Sequence, residues 1–409
     1  MKHLKKCMAL LLTSLLFLSS CGVVKKQNQF VLSSFFAVGG SANKELYTKM
    51  LRLTKESGIN LVELTFSSGQ ALTTALDVCE QLQLHNLAQD LTQFSGFGSQ
   101  APAFTDEIAQ QTVQILQQYQ YNAGFYIWDE PTKEYFADVR HIKDTFTNLA
   151  PEKLAFSCIY PSYSGYTWHN GSYPAYVDEY IQTVDPAILS MDYYPYQDGS
   201  SELFGSDLWR DMGYFRKKSI ETDKPFWFYF QAVGDLQEKV PGFMTVEKTK
   251  AQMYAALCYG VKGLSYYTSY GALVTPEGEK SAQYDELTAV NTRVKAMGNF
   301  LYDKTSQAVY HTYLSQQERE EFFLDDPAQA PFTISASDAL IIGVFTDNQN
   351  THILIVNPWI NDKRAQSGTL TFPHTVKFTD FDTGKTTKGQ DVSFSITPGD
   401  AVLYTVQED

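Results

Sequence analysis

The sequence predicts an α/β protein, a (β/α)8 (TIM) barrel followed by a small C-terminal antiparallel β-sandwich. Three observations carry that expectation. From Phe30 to about Thr305, short apolar runs alternate with amphipathic segments eight times over about 275 residues, the rhythm of a parallel sheet covered by helices. After about Ala308 the helical spacing stops, and short β-rich runs separated by turn residues take over. No GxGxxG or GxxxxGK[ST] follows any of the eight runs, so the alternative, an open doubly wound nucleotide-binding sheet, has no motif behind it.

The runs expected as barrel strands are Phe30 to Val38, Ile59 to Phe66, Asn86 to Phe94, Ala123 to Trp128, Leu154 to Tyr160, Ala187 to Tyr193, Pro225 to Gln231 and Gly263 to Thr268. Between them, Glu45 to Glu56 sets Leu46, Met50 and Leu53 at helical spacing, and Thr249 to Tyr259 does the same with Met253, Ala256 and Leu257. Gly58 and Gly260 follow these two segments as helix-ending glycines would. In the last quarter the expected strands are Ala339 to Thr346, His352 to Val356, Gly368 to Phe372, Val376 to Asp380, Val392 to Ile396 and Ala401 to Val406. Turn pairs such as Asn357-Pro358 and Pro398-Gly399 separate them, and Ser315 to Pro331 is read as an irregular connection.

The amino terminus reads as an address. Met1 to Lys6 is basic and Met8 to Leu18 almost wholly apolar, the order of a secretory signal and too short to span a bilayer comfortably. It ends in Leu18-Ser19-Ser20-Cys21-Gly22, which resembles the bacterial lipobox, whose cysteine is lipidated and becomes the new terminus. The expected layout is a lipoprotein signal peptide over 1–21 with Cys21 lipidated and a tether over 22–29. A barrel over 30–307 and a sandwich over 308–409 follow. The protein would be exported and lipid-anchored to the cell envelope, touching the membrane through Cys21.

Composition limits the partners. Lys plus Arg number 32 against 46 Asp plus Glu, a net charge of −14; without Lys2, Lys5 and Lys6 of the leader it is −17. Such a surface repels a polyanion, so a nucleic-acid partner is excluded as the main function. Aromatic residues make up 14% of the chain, enough for a large core or for surfaces that stack on sugar rings. Cys79, Cys158 and Cys258, an odd set without close spacing, imply neither a disulfide framework nor a metal knuckle and read as small buried hydrophobes. The seven histidines show no HxH or HExxH spacing, no EF-hand loop is present, and a Ser-His-Asp hydrolase has no GxSxG to start from. Only His169 lies in an aromatic loop, and a surface position accounts for it.

In such a barrel the active site lies at the carboxyl ends of the strands, so the polar residues that close each run are the candidates. The fourth run ends Tyr126-Ile127-Trp128-Asp129-Glu130-Pro131. Strict alternation would put Tyr126, Trp128 and Glu130 on one face and Ile127 and Asp129 on the other, and Pro131 would bias Glu130 toward an extended backbone. A glutamate held among aromatic rings has its pKa raised by desolvation, as a general acid requires. The sixth run ends Met191-Asp192-Tyr193-Tyr194-Pro195-Tyr196, and the seventh ends Tyr229-Phe230-Gln231.

The segments Gly124 to Pro131 (GFYIWDEP) and Leu189 to Tyr196 (LSMDYYPY) resemble the (β/α)8 glycoside hydrolases of clan A, the group that includes the β-galactosidase-type family 42 enzymes. The resemblance covers most of the chain as pattern and only these segments as motif. It implies a carbohydrate substrate, no cofactor, no metal, and an acid/base residue at Glu130. Asp129 would stand where members usually have Asn. The nucleophilic glutamate that members place at the end of strand seven would fall on Gln231, which cannot form a glycosyl ester.

The departure at Gln231 leaves three readings open. Asp192 could serve as the base opposite Glu130, at the separation of roughly 6.5–9.5 Å that suits inversion. Another carboxylate, such as Asp235, Glu63 or Asp90, could enter the site. Or the barrel could bind sugar without cleaving it, as a carbohydrate-binding surface lipoprotein; a structural or adhesive platform, indifferent to changes in its strand-end residues, is a separate possibility. The expected site is Glu130 and Asp192 as catalytic groups, with Asp129, Tyr193, Tyr229, Gln231, Trp128, Tyr266 and Trp168 contacting substrate. Tyr194, Tyr196, Trp227 and Tyr267 also sit at strand ends, most of them expected as core, while Tyr160, Tyr163 and Tyr166 lie in the aromatic loop after strand five. The plainer roles are a helix-capping acid for Glu130, a partner of a buried Tyr hydroxyl for Asp192, and a backbone-satisfying amide for Gln231.

Overall fold

The computed structural model describes residues 29–40, 43–66, 68–164, 172–196, 207–234, 244–347, 349–360 and 365–408. The expected leader, Cys21, Tyr166, Trp168, His169 and Asp235 lie outside them. Eight parallel strands form the first sheet: β1 Val31–Phe35, β2 Leu61–Phe66, β3 His85–Asp90, β4 Asn122–Asp129, β5 Leu154–Cys158, β6 Leu189–Tyr193, β7 Phe226–Gln231 and β8 Gly263–Tyr267. Each is followed by a helix: α1 Lys44–Glu56, α2 Gly69–Leu82, α3 Asp106–Leu116, α4 Phe136–Leu149, α5 Tyr173–Val184, α6 Leu208–Thr222, α7 Val246–Cys258 and α8 Tyr284–Leu301. A two-residue strand, Gly96–Phe97, adds to the end of β4.

The strands read as near-continuous apolar runs because both faces are covered, by the barrel interior and by the helices; all six residues of β7, FWFYFQ, are buried. Hydrogen-bonded pairing joins β1 to β2 and β8, and runs on from β2 through β3 and β4 to β5 and from β8 through β7 to β6. The ring closes between β5 and β6 through one bridge, Ile159 to Met191, where Ile159 N donates to Ser190 O at 3.1 Å. That thin seam joins the residue after β5 to the middle of β6.

Local chemistry sets the helix ends. Asn43, Thr105 and Thr245 side chains accept the backbone N–H groups of Leu46, Ile108 and Lys248 and so start α1, α3 and α7. Gly58 and Gly260 follow the other ends of α1 and α7 at φ +97° and +79°, as helix-ending glycines.

The second sheet is a folded antiparallel β-sandwich of seven strands: β9 Thr305–His311, β10 Thr333–Ala336, β11 Ile341–Thr346, β12 Thr351–Val356, β13 Gln366–Asp380, β14 Thr386–Ile396 and β15 Ala401–Glu408. It begins three residues before Ala308, because β9 pairs along β11 although its sequence, TSQAVYH, opens on polar residues. The two runs expected over Gly368 to Phe372 and Val376 to Asp380 are one strand, β13, whose register slips between Thr371 and Val376, around Pro373. Ile342, Val344, Ile353, Ile355, Val392 and Phe394 fill the sandwich. The opposite faces of β11, β12 and β15, carrying Ile341, Phe345, Leu354 and Leu403, join the barrel's own core.

That junction is tight. A Cβ on Gly343 would come within 2.6 Å of the Cys258 carbonyl oxygen at the end of α7, so only glycine lets β11 approach. Beside it, Arg293 of α8 donates to both carboxylate oxygens of Asp382 at 2.9 and 2.6 Å, and to Asp400 and the Ala401 carbonyl at 2.7 Å each.

The barrel interior is partly polar. Glu63 of β2 is fully buried, accepts from Tyr229 Oη at 2.6 Å and Ser265 Oγ at 3.3 Å, and is bonded to the Ser33 hydroxyl. Burial outweighs these donors and raises its pKa from the ordinary 4.5 to about 8.

Two outcomes follow from this packing. Gly343→Ala should lower unfolding free energy in denaturant by about 1–3 kcal/mol, as an overpacked contact does, and an unchanged midpoint would show the junction to be compliant. From pH 4.5 to 8 the unfolded chain has released the Glu63 proton while the folded chain still holds it, so this group makes stability fall as pH rises through that window. Glu63→Gln, which keeps an acceptor for Tyr229, should flatten that decline in a series of melting curves, whereas an unaltered slope would place the titration elsewhere.

Candidate active site

A cavity of about 540 Å3 opens at the carboxyl ends of the strands. Phe35 and Phe36 of the β1 end, Phe97, Tyr126, Asp129 and Glu130 of the β4 end, Cys158, Tyr160, Pro161, Tyr163 and Ser164 after β5, Asp192 and Tyr194 of β6, Tyr229 of β7 and Tyr267 of β8 line it. Among the described residues the lining holds three carboxyls and no cationic side chain. The side chains of Phe36, Phe97 and Tyr163 are exposed at its rim.

Two backbone irregularities aim the β4 carboxyls. The pairing of β4 with β5 shifts between Tyr126 and Trp128, a bulge that leaves Ile127 without a partner. The bulge breaks the expected alternation. Tyr126 faces the interior, Ile127 and Trp128 both pack into the outer core, and Asp129 returns to the interior, where it accepts Tyr126 Oη at 2.8 Å. Glu130 then adopts φ +51° instead of the extended conformation expected before Pro131, so it too lines the cavity. A non-glycine residue at positive φ is a strained position, of order 1–3 kcal/mol, that the surroundings must hold. Here Gly98 N donates to Asp129 O at 2.8 Å, Glu130 N to Cys158 O at 2.9 Å and Tyr176 Oη to Pro131 O at 2.7 Å.

Glu130, after β4, and Asp192, on β6, line the same cavity, and each carboxyl acts on the other. Burial and the neighbouring Asp192 and Asp129 charges push the Glu130 pKa well above the carboxylate range. Asp192 is raised as well, first by burial and then by Asp129, against the donors Tyr194 and Glu130. Asp192 Oδ1 is buried and meets no N–H or hydroxyl donor among the described residues, which leaves it as an acceptor for a carboxyl proton. Asp129 is raised to about 6 by burial, opposed by the Tyr126 hydroxyl.

Glu130 and Asp192 meet in one cavity and influence each other's protonation, so they act as a pair of carboxyls and not as two independent groups.

Several expected contacts lie elsewhere. Trp128 is fully buried on the outer side, donating Nε1 to Gly98 O at 3.0 Å. Tyr266 also points outward and donates to Asn291 Oδ1 at 2.6 Å. Gln231 is spent on structure: its Oε1 accepts Tyr196 N at 2.8 Å and its Nε2 donates to Val233 O at 3.2 Å. Tyr193 is off the cavity, with its ring edge-on to Tyr163 at 4.8 Å. Glu63 lies beneath the site and touches it only through Tyr229, and Asp90 is occupied by the backbone and hydroxyl of Thr92 at 2.9 and 2.6 Å.

Of the aromatic candidates, Tyr160, Tyr163, Tyr194, Tyr229 and Tyr267 line the cavity, whereas Tyr196 and Trp227 do not. The residues not foreseen are Phe35, Phe36, Phe97, Tyr126, Cys158, Pro161 and Ser164. Phe35 and Phe36 are apolar and lie inside the first expected run, Phe30 to Val38, so a rule that looks for polar residues at the end of a run passes over them. The turn bearing Tyr163 is held from behind: Ser162 N donates to buried Asp211 of α6 at 3.0 Å, and burial raises the Asp211 pKa to about 7.

A scan against protein-family models finds no match, and a search of curated proteins finds no significant relative. Solved structures do share the fold. A glycoside hydrolase superposes with a TM-score of 0.54 over 93% of this chain and 93% of its own, at 10% identity. A glycoside hydrolase family 5 protein from Bacteroides vulgatus gives a TM-score of 0.51 over 93% of this chain and 89% of its own, also at 10% identity. At this identity the likeness is one of fold: the (β/α)8 barrel with its C-terminal β-domain has glycoside hydrolases among its structural neighbours.

Proposed function

We propose that the protein is a glycoside hydrolase acting on neutral oligo- or polysaccharide, held at the cell envelope by a lipid on Cys21. The observation that carries the reading is that Glu130, Asp192 and Asp129 line one aromatic-walled cavity at the strand ends, where burial and the neighbouring carboxyls favour the protonated form of Glu130. A carboxylic acid kept protonated near neutral pH can donate to a leaving glycosidic oxygen, which an ordinary glutamate cannot do efficiently. Asp192 keeps the proton in place and orients it, and Asp129, fixed by Tyr126, supplies negative charge for the oxocarbenium-like transition state. Phe36, Phe97 and Tyr163 offer rim faces for sugar stacking. With three carboxyls and no cation among the described lining residues, uronate or sulfated chains are disfavoured. The address at the envelope rests on the basic and apolar run before Cys21.

Gln231, bound into the framework at the end of β7, favours a second reading in which the cavity binds glycan without cleaving it. The two separate in one experiment, reducing-end release from a panel of neutral glycans by wild type and Glu130→Gln. We expect release by the wild type and at least about a hundredfold less by the variant. Binding that persists in both without release would establish the second reading.

The pH profile provides an independent check. The competent state has its proton on Glu130 and none on Asp192, so the rate should fall on the acid side as Asp192 is protonated and on the alkaline side as Glu130 loses its proton. Asp192→Asn removes the charge that raises the Glu130 pKa, so in the residual activity the alkaline limb should move to lower pH. A stationary limb would show that another group controls it.

A further inference from the structure

Resting on the glycosidase reading above, we propose that the preferred leaving group is apolar, an alkyl or aromatic aglycone carried by the sugar, and that Phe97 is the residue that selects it. Phe97 lines the cavity with 47% of its surface exposed, and its ring belongs to none of the hydrophobic clusters of the described residues. Its backbone, by contrast, is fixed on both sides. Gly96 and Phe97 pair with Trp128 and Asp129 of β4. Phe97 N donates to Gln100 O at 3.1 Å, and Phe97 O accepts Gln100 N at 2.8 Å. The flanking glycines belong to the mount. A Cβ on Gly96 would come within 2.3 Å of the Trp128 indole, and Gly98, at φ +52°, donates to Asp129 O at 2.8 Å and accepts Trp128 Nε1 at 3.0 Å. An apolar ring held rigid and left in water is a preformed contact: an apolar group that covers it gains burial while little freedom of the protein is lost.

The register sets that ring beside the acid. Phe97 pairs with Asp129, the residue before Glu130, and paired residues of parallel strands carry their side chains on one face. On the other flank Glu130 N donates to Cys158 O at 2.9 Å, and a Cβ on Gly98 would lie 3.1 Å from the Tyr160 hydroxyl, so the loop of Phe97 abuts the turn of Pro161 and Tyr163. The glycosidic oxygen receives its proton from Glu130, so the group attached to that oxygen departs past Phe97, Pro161 and Tyr163. A second sugar there would bring several hydroxyls to be paired. Among the described lining residues there is no amide and no cationic side chain to pair them, whereas an alkyl or aromatic group needs only the apolar surface that is present. The sugar itself lies between the carboxyls and the opposite wall of Phe35, Phe36 and Tyr267. The chemistry balances as for any glycoside: the C1–O bond breaks, its electron pair goes to the oxygen, which takes the Glu130 proton, and the aglycone leaves as a neutral alcohol or phenol. Water supplies the hydroxyl on C1 and returns a proton to the site.

The test uses the full-length protein with methyl, hexyl and benzyl glycosides of gluco, galacto, manno, xylo and fuco sugars in both anomers, and with the matching disaccharides. The three simple alcohols are similar in acidity, so within one sugar the ratio of their kcat/KM values reads contact with the aglycone and not leaving-group ability. We expect the hexyl or the benzyl glycoside to exceed the methyl glycoside by at least about tenfold. A gain confined to hexyl assigns the site to lipid-linked sugars, and a gain confined to benzyl assigns it to aromatic glycosides. Phe97→Ser should bring the ratio to within about threefold of unity at an unchanged melting temperature, and Phe97→Tyr should retain the preference. A ratio near unity in the wild type, a preference that survives Phe97→Ser, or a disaccharide turned over faster than both apolar glycosides would overturn the proposal and leave the glycosidase reading standing. A lowered melting temperature of Phe97→Ser would mark the ring as packing and overturn its assignment. Release from other glycans with none of these alkyl or benzyl glycosides cleaved also overturns the proposal alone, whereas release from nothing overturns both.

Discussion

Carboxyl groups placed inside a barrel, with no cationic side chain among the described residues that line the site, must either find hydrogen-bond donors or keep their protons, and this constraint organises the site. Glu63 lies deepest and holds a proton up to about pH 8 even with three hydroxyl partners. Above it, Tyr229 turns its hydroxyl down to Glu63 and its ring up to the cavity, so the floor is apolar in contact and polar in anchorage. The cavity carboxyls then interact across a medium that screens them poorly, and each raises the next: Asp129 acts on Asp192, and both act on Glu130. An arginine among them would pair with one carboxylate and remove the proton on which general acid chemistry depends.

The backbone makes that crowding possible. Two consecutive residues of a regular strand face opposite sides, so Asp129 and Glu130 could not both reach one cavity from an unbroken β4. The bulge at Ile127 restores Asp129 to the interior, and the positive φ of Glu130 brings the second carboxyl in behind it. Both irregularities sit beside the single bridge that closes the ring, where the ladder between β5 and β6 has the fewest hydrogen bonds to lose. The strain is held by bonds that reach the DEP segment from elsewhere in the fold, from Gly98 and Tyr176 and to Cys158.

These features divide what the sequence discloses from what it conceals. All eight barrel strands overlap the expected runs, since a doubly covered strand writes its burial into consecutive residues such as PFWFYF. The runs Phe30 to Val38 and Asn86 to Phe94 extend past the strands they contain, because apolar residues continue into the loops that shape the cavity. β9 carries no strand signal in the sequence, because its outer residues are polar and its pairing with β11 is long-range. At the site, the strand-end rule finds Glu130, Asp192, Asp129 and Tyr229 but misplaces Trp128 by a period-two argument that the bulge at Ile127 invalidates. Gln231 shows a further limit: residue type suggests a sugar contact, and only the positions of Tyr196 N and Val233 O reveal a brace.

That brace bears on the missing strand-seven glutamate. The Gln231 amide accepts at one atom and donates at the other, joining the loop after β6 to the loop after β7 within the barrel rim. A glutamate at the same place could accept from Tyr196 N, but its second oxygen would face the Val233 carbonyl, and two acceptors at that distance repel. The residue is therefore matched to its surroundings as an amide. Its neighbours are matched to it: Gln252 of α7 donates to the Gln231 carbonyl and accepts its N–H, at 2.9 and 3.0 Å, so strand, helix and loops meet at one saturated node. Turning Gln231 toward the cavity would break this node, and a catalytic scheme for this barrel has to leave it intact.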